Sequence, residues 1–249
     1  MVKKMLALSL AAMLVFSACF TASALDLQAG VEVEAILDKD VELENLGMDV
    51  QYSAQYYNLV TDVKLGDFIT VTPKAGINSF QLEADNVGTI GEIEGYGGIG
   101  WNLGIDVQAD VLKSEFVDLA IIGGYRFSRT DLDSVDIAGL EIDNPIETIL
   151  TTHEWEIGAQ VSKDLSTIES LQQFIALPVV PYVGIVYSDL RGDLDVNLSV
   201  LDLNEEIHAK DNFGMRFGIA AEPIQDLQIS LDFKLVDEIA VAGAVTYRF

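Results

Sequence analysis

The sequence predicts an all-β fold, namely an antiparallel up-and-down transmembrane β-barrel of ten strands, within a range of eight to twelve. Two observations support this prediction: ten segments alternate apolar with small or polar residues, and most turns between them carry Gly, Asp, Asn or Pro. An even number of strands brings both chain ends to the same side of a membrane. The alternative is a soluble β-sandwich or barrel whose apolar face is buried inside.

A secretory leader is the third observation. Two lysines precede an apolar run at 5–18, and residues 22–24 supply an A-x-A cleavage site. We therefore expect a signal peptide at 1–24 and an outer-membrane β-barrel domain at 25–249. Cleavage would remove Cys19, which excludes disulfides, thiolate metal sites and a cysteine nucleophile. The alternative is a lipoprotein in which Cys19 is retained and acylated.

The chain is strongly acidic. The chain has 14 basic and 40 acidic residues, and loss of the two leader lysines would leave a net charge of −28. Nucleic acid is excluded as a partner, because phosphate binding needs a basic surface. Half of the residues are hydrophobic, which argues against disorder. The longest apolar stretch of the mature chain, 174–187, contains two prolines and is shorter than the ~20 residues of a spanning helix.

Each predicted strand is supported by side chains that alternate between two faces of different polarity. The first sets apolar residues at odd positions against Glu32 and Glu34, the fourth carries apolar residues at odd positions from Ile93 to Val107, and the ninth follows the turn at 222–226. The ten predicted strands run through residues 25–36, 48–58, 68–83, 92–107, 117–128, 155–161, 179–187, 213–219, 227–235 and 238–249.

The connections differ in length between the two ends of the predicted barrel. Outer loops are predicted at 37–47, 84–91, 129–152 and 189–211, with a tight turn at 236–237. The inner connections are mostly shorter, and 163–173 could form a short helix. Aromatic residues on the outward face would anchor the barrel at the lipid interfaces: Tyr52, Tyr56, Trp101, Tyr125, Phe127, Trp155, Tyr187, Tyr247 and Phe249.

The inward face carries both signs of charge. A barrel of this size is just wide enough for side chains to fill it, so an ion-pair network is the first interpretation. A narrow cation-preferring porin or small-solute channel is the alternative, because acidic residues are in excess. The predicted lumen charge cluster consists of Glu32, Glu34, Glu92, Glu94, Arg126, Glu154, Glu156, Arg216, Asp232, Lys234 and Arg248.

Other motifs carry little weight. Residues 95–100 fit G-x-G-x-x-G, but strand alternation continues after them, so no helix exists to hold a phosphate. Residues 191–193 spell an adhesion tripeptide within a predicted loop. His153 and His208, each near glutamates, leave a hydrolase at the extracellular rim as a remote alternative. The acidic runs leave divalent cations as possible loop partners. We assign no catalytic, cofactor-binding or metal residues and expect no enzyme.

The last strand carries the most specific signal. Its outward face includes Val245 and Tyr247 and ends on Phe249. This ending resembles the assembly signal of bacterial outer-membrane β-barrels, and the whole of 25–249 resembles the small OmpA/OmpX-like barrels in a ten-stranded variant. The resemblance implies export to the bacterial cell outer membrane. It also implies contact with outer-membrane lipid and lipopolysaccharide, and recognition of the C-terminal strand by the barrel-assembly machinery.

These observations together predict the functional class. We expect an outer-membrane β-barrel of the cell envelope with a structural or surface-interaction role and a lumen largely filled by side chains. No cofactor is expected.

Overall fold

The computed structural model describes residues 26–44, 47–87, 91–137, 140–143, 148–168, 177–198, 201–235 and 238–249, so the predicted leader lies outside the described residues. These residues form thirteen strands: β1 (Asp26–Leu43), β2 (Met48–Leu65), β3 (Ile69–Val87), β4 (Gly91–Gly97), β5 (Gly100–Lys113), β6 (Asp118–Ile137), β7 (Leu140–Asp143), β8 (Thr148–Ser162), β9 (Val179–Leu198), β10 (Leu201–Ala209), β11 (Phe213–Ile224), β12 (Leu227–Leu235) and β13 (Ile239–Arg248).

Within the described residues, the strands close into a ring of ten. β4 and β5 share one position between β3 and β6, β7 and β8 both pair with β6, and β10 and β11 both pair with β9. The ring closes where β1 pairs with β13, from Gln28–Arg248 to Asp38–Ile239. All pairings are antiparallel, so the predicted ten-stranded antiparallel barrel is confirmed.

The long strands exceed the length that a membrane requires. β1 and β2 have 18 residues each, and β6 and β9 have 20 each. A tilted transmembrane strand needs about 9–11 residues. The predictions of long loops at 129–152 and 189–211 were therefore wrong in large part. Their charged residues belong to strands that continue beyond the apolar surface.

The barrel narrows at one end. The β12–β13 hairpin is short, and beyond it β1 pairs with β10 through Val41–Ala209, Glu42–His208 and Leu43–Ile207. Among the described residues, this part therefore has eight strands around its circumference. We call it the extension and define it as the described residues within 38–56, 79–97, 129–153 and 189–209. We call the ten-stranded remainder the membrane band; both chain ends and the short turns lie at its far end.

The membrane band is apolar outside and polar inside. Its outward residues are valines, isoleucines, leucines and aromatics that remain exposed on the isolated chain, as a lipid-facing surface requires. Aromatic rings form a girdle next to the extension, where Trp155 lies 5.2 Å from Tyr187 and Trp101 lies 5.1 Å from Phe127. At the turn end, Phe68, Phe116 and Phe249 are exposed. The fold is therefore a transmembrane β-barrel.

The extension reverses this polarity. Along β3, Ile77 points outward and is 45% exposed, whereas Phe80, three residues later, is 5% exposed and points inward. Ser79 and Gln81 take the outward positions beyond Ile77. The apolar core that fills the extension and its junction with the band consists of Ile36, Val41, Leu43, Val50, Tyr52, Ala54, Tyr56, Phe80, Leu82, Ala84, Leu150, Leu190, Ile207 and Ala240.

This reversal corrects two predictions about β2. Tyr52 and Tyr56 were expected on the lipid-facing side, but each is 1% exposed and lies in the core of the extension. Their hydroxyls are 2.9 Å apart. Of the three tyrosines in this part of β2, Tyr57 is the one that points outward, and it is half exposed.

Among the described residues, the turn-end connections contain one helical element, which lies between β8 and β9. Of the predicted helix at 163–173, the structure describes a single 3-10 turn, Leu165–Thr167, capped by the Asp164 side chain. The remainder from 169 lies outside the described residues. Within the described part of the chain, no helix is long and apolar enough to cross a membrane.

Candidate functional site: the lumen and its charge network

The lumen is open at the turn end and filled at the extension. A cavity of about 840 Å³ begins at the turn residues Gly66 and Asp67 and reaches inward to Glu32, Lys74 and Arg216. Beyond these charges lies a smaller cavity of about 120 Å³, bordered by Asn102 and Glu154 among others. The apolar core of the extension follows. Within the described residues, the cavity is therefore closed at the extension and has one opening, at the turn end.

One half of the charge network is centred on Arg126 and Lys39. Arg126 donates to Glu34 at 2.6 Å and to Glu154, and its guanidinium lies 4.0 Å from the Tyr56 ring centroid. Lys39 Nζ lies 2.9 Å from both Glu154 and Glu238. The Lys39 side chain is fully buried, so both of its carboxylate partners are needed to compensate its lost hydration.

The second half continues from Glu238. Lys234 Nζ lies 3.4 Å from Glu238 and 2.7 Å from Glu156. Glu156 also pairs with Arg216 at 3.6 Å, and Arg216 in turn pairs with Asp232. These contacts link strands β1, β6, β8, β11 and β12 with the residue before β13, so the network braces the barrel from within.

Tyr182 completes this side of the lumen. Its hydroxyl donates to Asp232 at 2.8 Å. The ring lies against Gly218, where an added Cβ would come within 2.4 Å of the Tyr182 hydroxyl oxygen. Gly218 therefore gives Tyr182 the space to lie across the lumen.

A separate cluster surrounds Lys74 on β3. Its Nζ lies 2.8 Å from Glu32 and 2.7 Å from Asp106, and Asn58 also donates to Glu32 at 3.2 Å. Across both clusters, every named carboxylate among the described residues contacts a cation. Removing one partner of such a buried pair strongly destabilises the folded protein. The arrangement is therefore suited to bracing the barrel.

The structure brings most of the predicted cluster together: Glu32, Glu34, Arg126, Glu154, Glu156, Arg216, Asp232 and Lys234 face the lumen. Two members do not join it. Glu94 lies on the outer surface of the extension, where the Tyr96 hydroxyl donates to it. Arg248 lies at the turn end and pairs with Asp26 at 3.2 Å. The side chain of Glu92 lies outside the described part of the chain.

Glu94 was misplaced because the alternation changes phase. β4 ends at Gly97 and β5 starts at Gly100, so Ile93 points into the core whereas Trp101 points outward. The fourth strand was predicted as one uninterrupted alternation, which put Ile93 outside and Glu94 inside. The break between Gly97 and Gly100 shifts the alternation by one position, so the faces of β4 are opposite to those predicted.

Four members of the network were missed: Lys39, Lys74, Asp106 and Glu238. A register shift between Ile36 and Asp38 turns the odd positions of β1 inward, so Lys39 follows a break that strict alternation cannot show. Lys74 and Asp106 share the phase of Asn78 and Asn102, both buried in the lumen. That shared phase was the signal that could have identified them.

The C-terminal residues named as an assembly signal face outward. Val245, Tyr247 and Phe249 lie on the lipid side of β13, and Phe249 is 84% exposed. The Tyr247 and Phe249 rings meet edge to face at 5.4 Å. The backbone N–H of Phe249 donates to Leu27 at 3.2 Å, which joins the two ends of the described barrel.

The two histidines, which left a rim hydrolase as a remote alternative, differ in their contacts with the glutamates near them in sequence. His153 faces outward and contacts the Tyr125 hydroxyl at 2.6 Å, whereas Glu154 faces the lumen. His208 lies on the outer wall of the extension, 3.1 Å from Glu44 and 3.5 Å from Glu206. Glu205 alternates with these residues and is buried inside.

The tripeptide and the glycine-rich motif both lie in the sheet. The tripeptide at 191–193 lies within β9, so it is not the loop that was predicted. The glycine-rich segment at 95–100 spans the break between β4 and β5, where no helix follows.

Comparisons with known proteins show similarity to membrane barrels. The translocator domain of autotransporter NalP from Neisseria meningitidis is 11% identical with a TM-score of 0.47, over 94% of this chain and 92% of that one. Outer membrane protease OmpT from Escherichia coli is 10% identical with a TM-score of 0.45, over 90% and 96%. Outer membrane protein OprG from Pseudomonas aeruginosa is 13% identical with a TM-score of 0.39, over 90% and 95%.

No family model matches the chain, and no curated protein matches it. At these identities and TM-scores, the similarity to solved barrels carries no information about activity, substrate or partner.

Proposed function

We propose that the protein is a bacterial outer-membrane β-barrel of the OmpA/OmpX-like type with a structural or surface-interaction role, and that its lumen does not conduct. The observation that supports this most directly is the apolar core of the extension, which lies across the only path from the turn-end cavity to the opposite side within the described residues. An apolar core packed at ordinary protein density leaves no water-filled path.

The charge network adds a second barrier. Its acids and bases pair with one another, and the ion pairs of Lys39 and Arg126 lie directly below the core. A permeating ion would have to displace these pairs before meeting the apolar core. The same pairing argues against the cation-preferring channel, because each acid of the two clusters is paired with a cation: Glu32, Glu34, Asp106, Glu154, Glu156, Asp232 and Glu238.

The outer wall of the extension is the surface available for interaction. It is acidic, with exposed Asp40, Glu42, Asp131, Asp133 and Asp193. If the turn end faces the periplasm, this wall stands above the lipopolysaccharide layer of the outer membrane. The outward C-terminal face remains the proposed contact for the barrel-assembly machinery.

Planar-bilayer recording tests the closed lumen. The purified barrel, shown to be folded by heat-modifiable migration on a denaturing gel, is expected to give no stable conductance steps. A matched variant, Tyr52→Ser with Phe80→Ser and Leu150→Ser, thins the apolar core and leaves the ion pairs in place. We expect this variant to leak while the parent stays silent. Stable cation-selective steps from the parent would refute the proposal.

Cysteine labelling in intact cells tests location and orientation. Ser79→Cys lies on the outer wall of the extension, and Asp67→Cys lies at a turn. A membrane-impermeant maleimide is expected to label the first variant in intact cells and the second only after the outer membrane is opened. The unsubstituted protein is the control, since its one cysteine is Cys19. The reverse labelling pattern would overturn the proposed orientation.

A further inference from the structure

Among the described residues, the joint between β1 and β10 is the shortest strand pairing that closes the extension. β1 pairs with β10 over only three residue pairs, whereas it pairs with β2 along nearly its whole length. Two backbone bonds extend the short joint: the Glu44 N–H donates to the Glu206 carbonyl at 2.9 Å, and the Lys210 N–H donates to the Asp40 carbonyl at 3.1 Å. The first of these contacts places the Glu44 and Glu206 side chains across the joint from each other.

Three side chains meet on the outer face of this joint. Glu206 and His208 are two residues apart on β10 and so share a face, and Glu44 faces them from the end of β1. His208 Nε2 lies 3.1 Å from a Glu44 oxygen and 3.5 Å from a Glu206 oxygen. One donor atom from each of the three residues lies within 4.8 Å of the others.

These separations suit the ligands of a transition-metal ion. Zn²⁺ binds imidazole nitrogen and carboxylate oxygen at about 2.0–2.2 Å, so its tetrahedral ligand atoms lie about 3.3 Å apart. The combination of one imidazole with two carboxylates favours Zn²⁺ over Ca²⁺ or Mg²⁺, which prefer oxygen ligands alone. Three protein ligands would leave one position of the ion for water.

The surrounding charges leave the two carboxylates without a cation. Arg191 lies opposite His208 in the β9–β10 register, but its guanidinium pairs with Asp189 at 2.9 Å. Among the described residues, no lysine or arginine pairs with Glu44 or Glu206. Among the described residues, His208 is therefore the only basic side chain that contacts the two carboxylates. The neighbouring cation Arg191 is paired with another acid.

We propose that Glu44, Glu206 and His208 form a Zn²⁺ site that joins β1 to β10 across the shortest pairing of the extension. The site is on the surface, where the Glu44 and Glu206 side chains are 63% and 59% exposed, so the ion would bind from solvent. An ion bound only by the folded state stabilises that state. The proposal depends on the fold and not on whether the lumen conducts.

Calorimetric titration of the untagged, detergent-folded barrel with ZnCl₂ tests the site. We expect one ion per chain, and we expect His208→Ala to weaken binding by about tenfold or more because it removes the nitrogen ligand. His153→Ala is the matched control: it removes the only other histidine of the chain and should bind Zn²⁺ as the parent does. CaCl₂ should bind more weakly than ZnCl₂.

A stability measurement separates the joint from a merely adventitious surface site. Zn²⁺ should raise the urea midpoint of the parent and of His153→Ala, but not that of Glu206→Gln or His208→Ala. The proposal is overturned if the parent takes up no Zn²⁺, if His208→Ala binds it as the parent does, or if bound Zn²⁺ leaves the urea midpoint unchanged.

Discussion

The membrane band and the extension are built from the same strands with opposite polarity. In the band, a strand such as β3 presents Ile77 to lipid and Lys74 to the lumen. Further along, in the extension, the same strand presents Gln81 to water and Leu82 to a core. The sequence of a strand determines which residues share each of its two faces. The surrounding medium, lipid or water, determines which face turns outward. The difference teaches that one closed sheet can serve as a membrane protein at one end and as a water-soluble barrel at the other.

The junction of the two regions is where the buried charges are concentrated. Lys39 and Glu238 lie where the β12–β13 hairpin ends and the circumference decreases from ten strands to eight. Reducing the strand number narrows the interior, because barrel diameter grows with the number of strands. Charged side chains therefore fill the wider part, and apolar side chains pack the narrower part.

Removing Lys39 should have the largest effect on this junction. Lys39→Met leaves Glu154 and Glu238 buried with one fewer cation, and loss of one partner of a buried pair costs about 3–5 kcal/mol of unfolding free energy. Urea titration of the refolded barrel measures this loss. Lys64→Met is the control, because Lys64 pairs with Asp26 where both side chains are more than a third exposed, and it should change stability little. Equal effects would contradict the bracing role.

A charge placed on the outward face should distinguish the two regions. Val183→Arg introduces an arginine on the lipid-facing side of β9, where a charge near the bilayer midplane costs about 2–4 kcal/mol. Ser79→Arg makes a charge change on the outward face of the extension, which faces water, and should cost almost nothing. Lipid-vesicle refolding followed by urea titration measures both variants. A comparable loss for Ser79→Arg would place that surface in lipid.

The ten-stranded antiparallel barrel could be predicted from the sequence because alternation and turn residues depend on local geometry. The apolar interior of the extension could not be predicted from the sequence. Tyr52 and Tyr56 alternate with Gln51, Ser53 and Gln55 in a pattern that fits a lipid-facing strand as well as a core-facing one. The local sequence of β2 does not indicate which of its faces contacts water.

The charge cluster shows the same limit at finer scale. Glu32, Glu34 and Arg126 could be predicted because they precede any break in their strands. Lys39 and Glu94 lie beside register breaks, and a shift of one residue moves every following side chain to the other face. Such breaks depend on how neighbouring strands pair, which a single strand does not encode.

The tyrosine pair in the extension should show an intermediate effect. Tyr52→Phe leaves the Tyr56 hydroxyl buried without the partner that lies 2.9 Å away, which costs about 1–3 kcal/mol of unfolding free energy. Burial, and then the neighbouring Tyr56 hydroxyl, raise the pKa of Tyr52 well above its usual value, so the pair stays neutral at ordinary pH.

Tyr57→Phe is the matched control for that pair. The Tyr57 hydroxyl donates to Gln55 at 3.1 Å on the exposed outer surface, where water can replace the lost bond. We expect urea titration to give the parent's stability for this variant. If Tyr52→Phe behaves in the same way, the interior of the extension is wet rather than an apolar core.

The smallest effect is expected for Lys210, which directly follows the extension and contacts its outer wall through Asp49. Lys210 Nζ lies 2.8 Å from Asp49, and this hydrogen bond raises the pKa of Lys210 above its usual value. Because both groups are exposed and screened by salt, Lys210→Met should leave the urea midpoint within experimental error. The same substitution at Lys39 removes two ion pairs of similar length from the buried junction. A large loss at Lys210 would mean that this wall is covered by another part of the protein, and the contrast between the two lysines measures how far water reaches into the barrel.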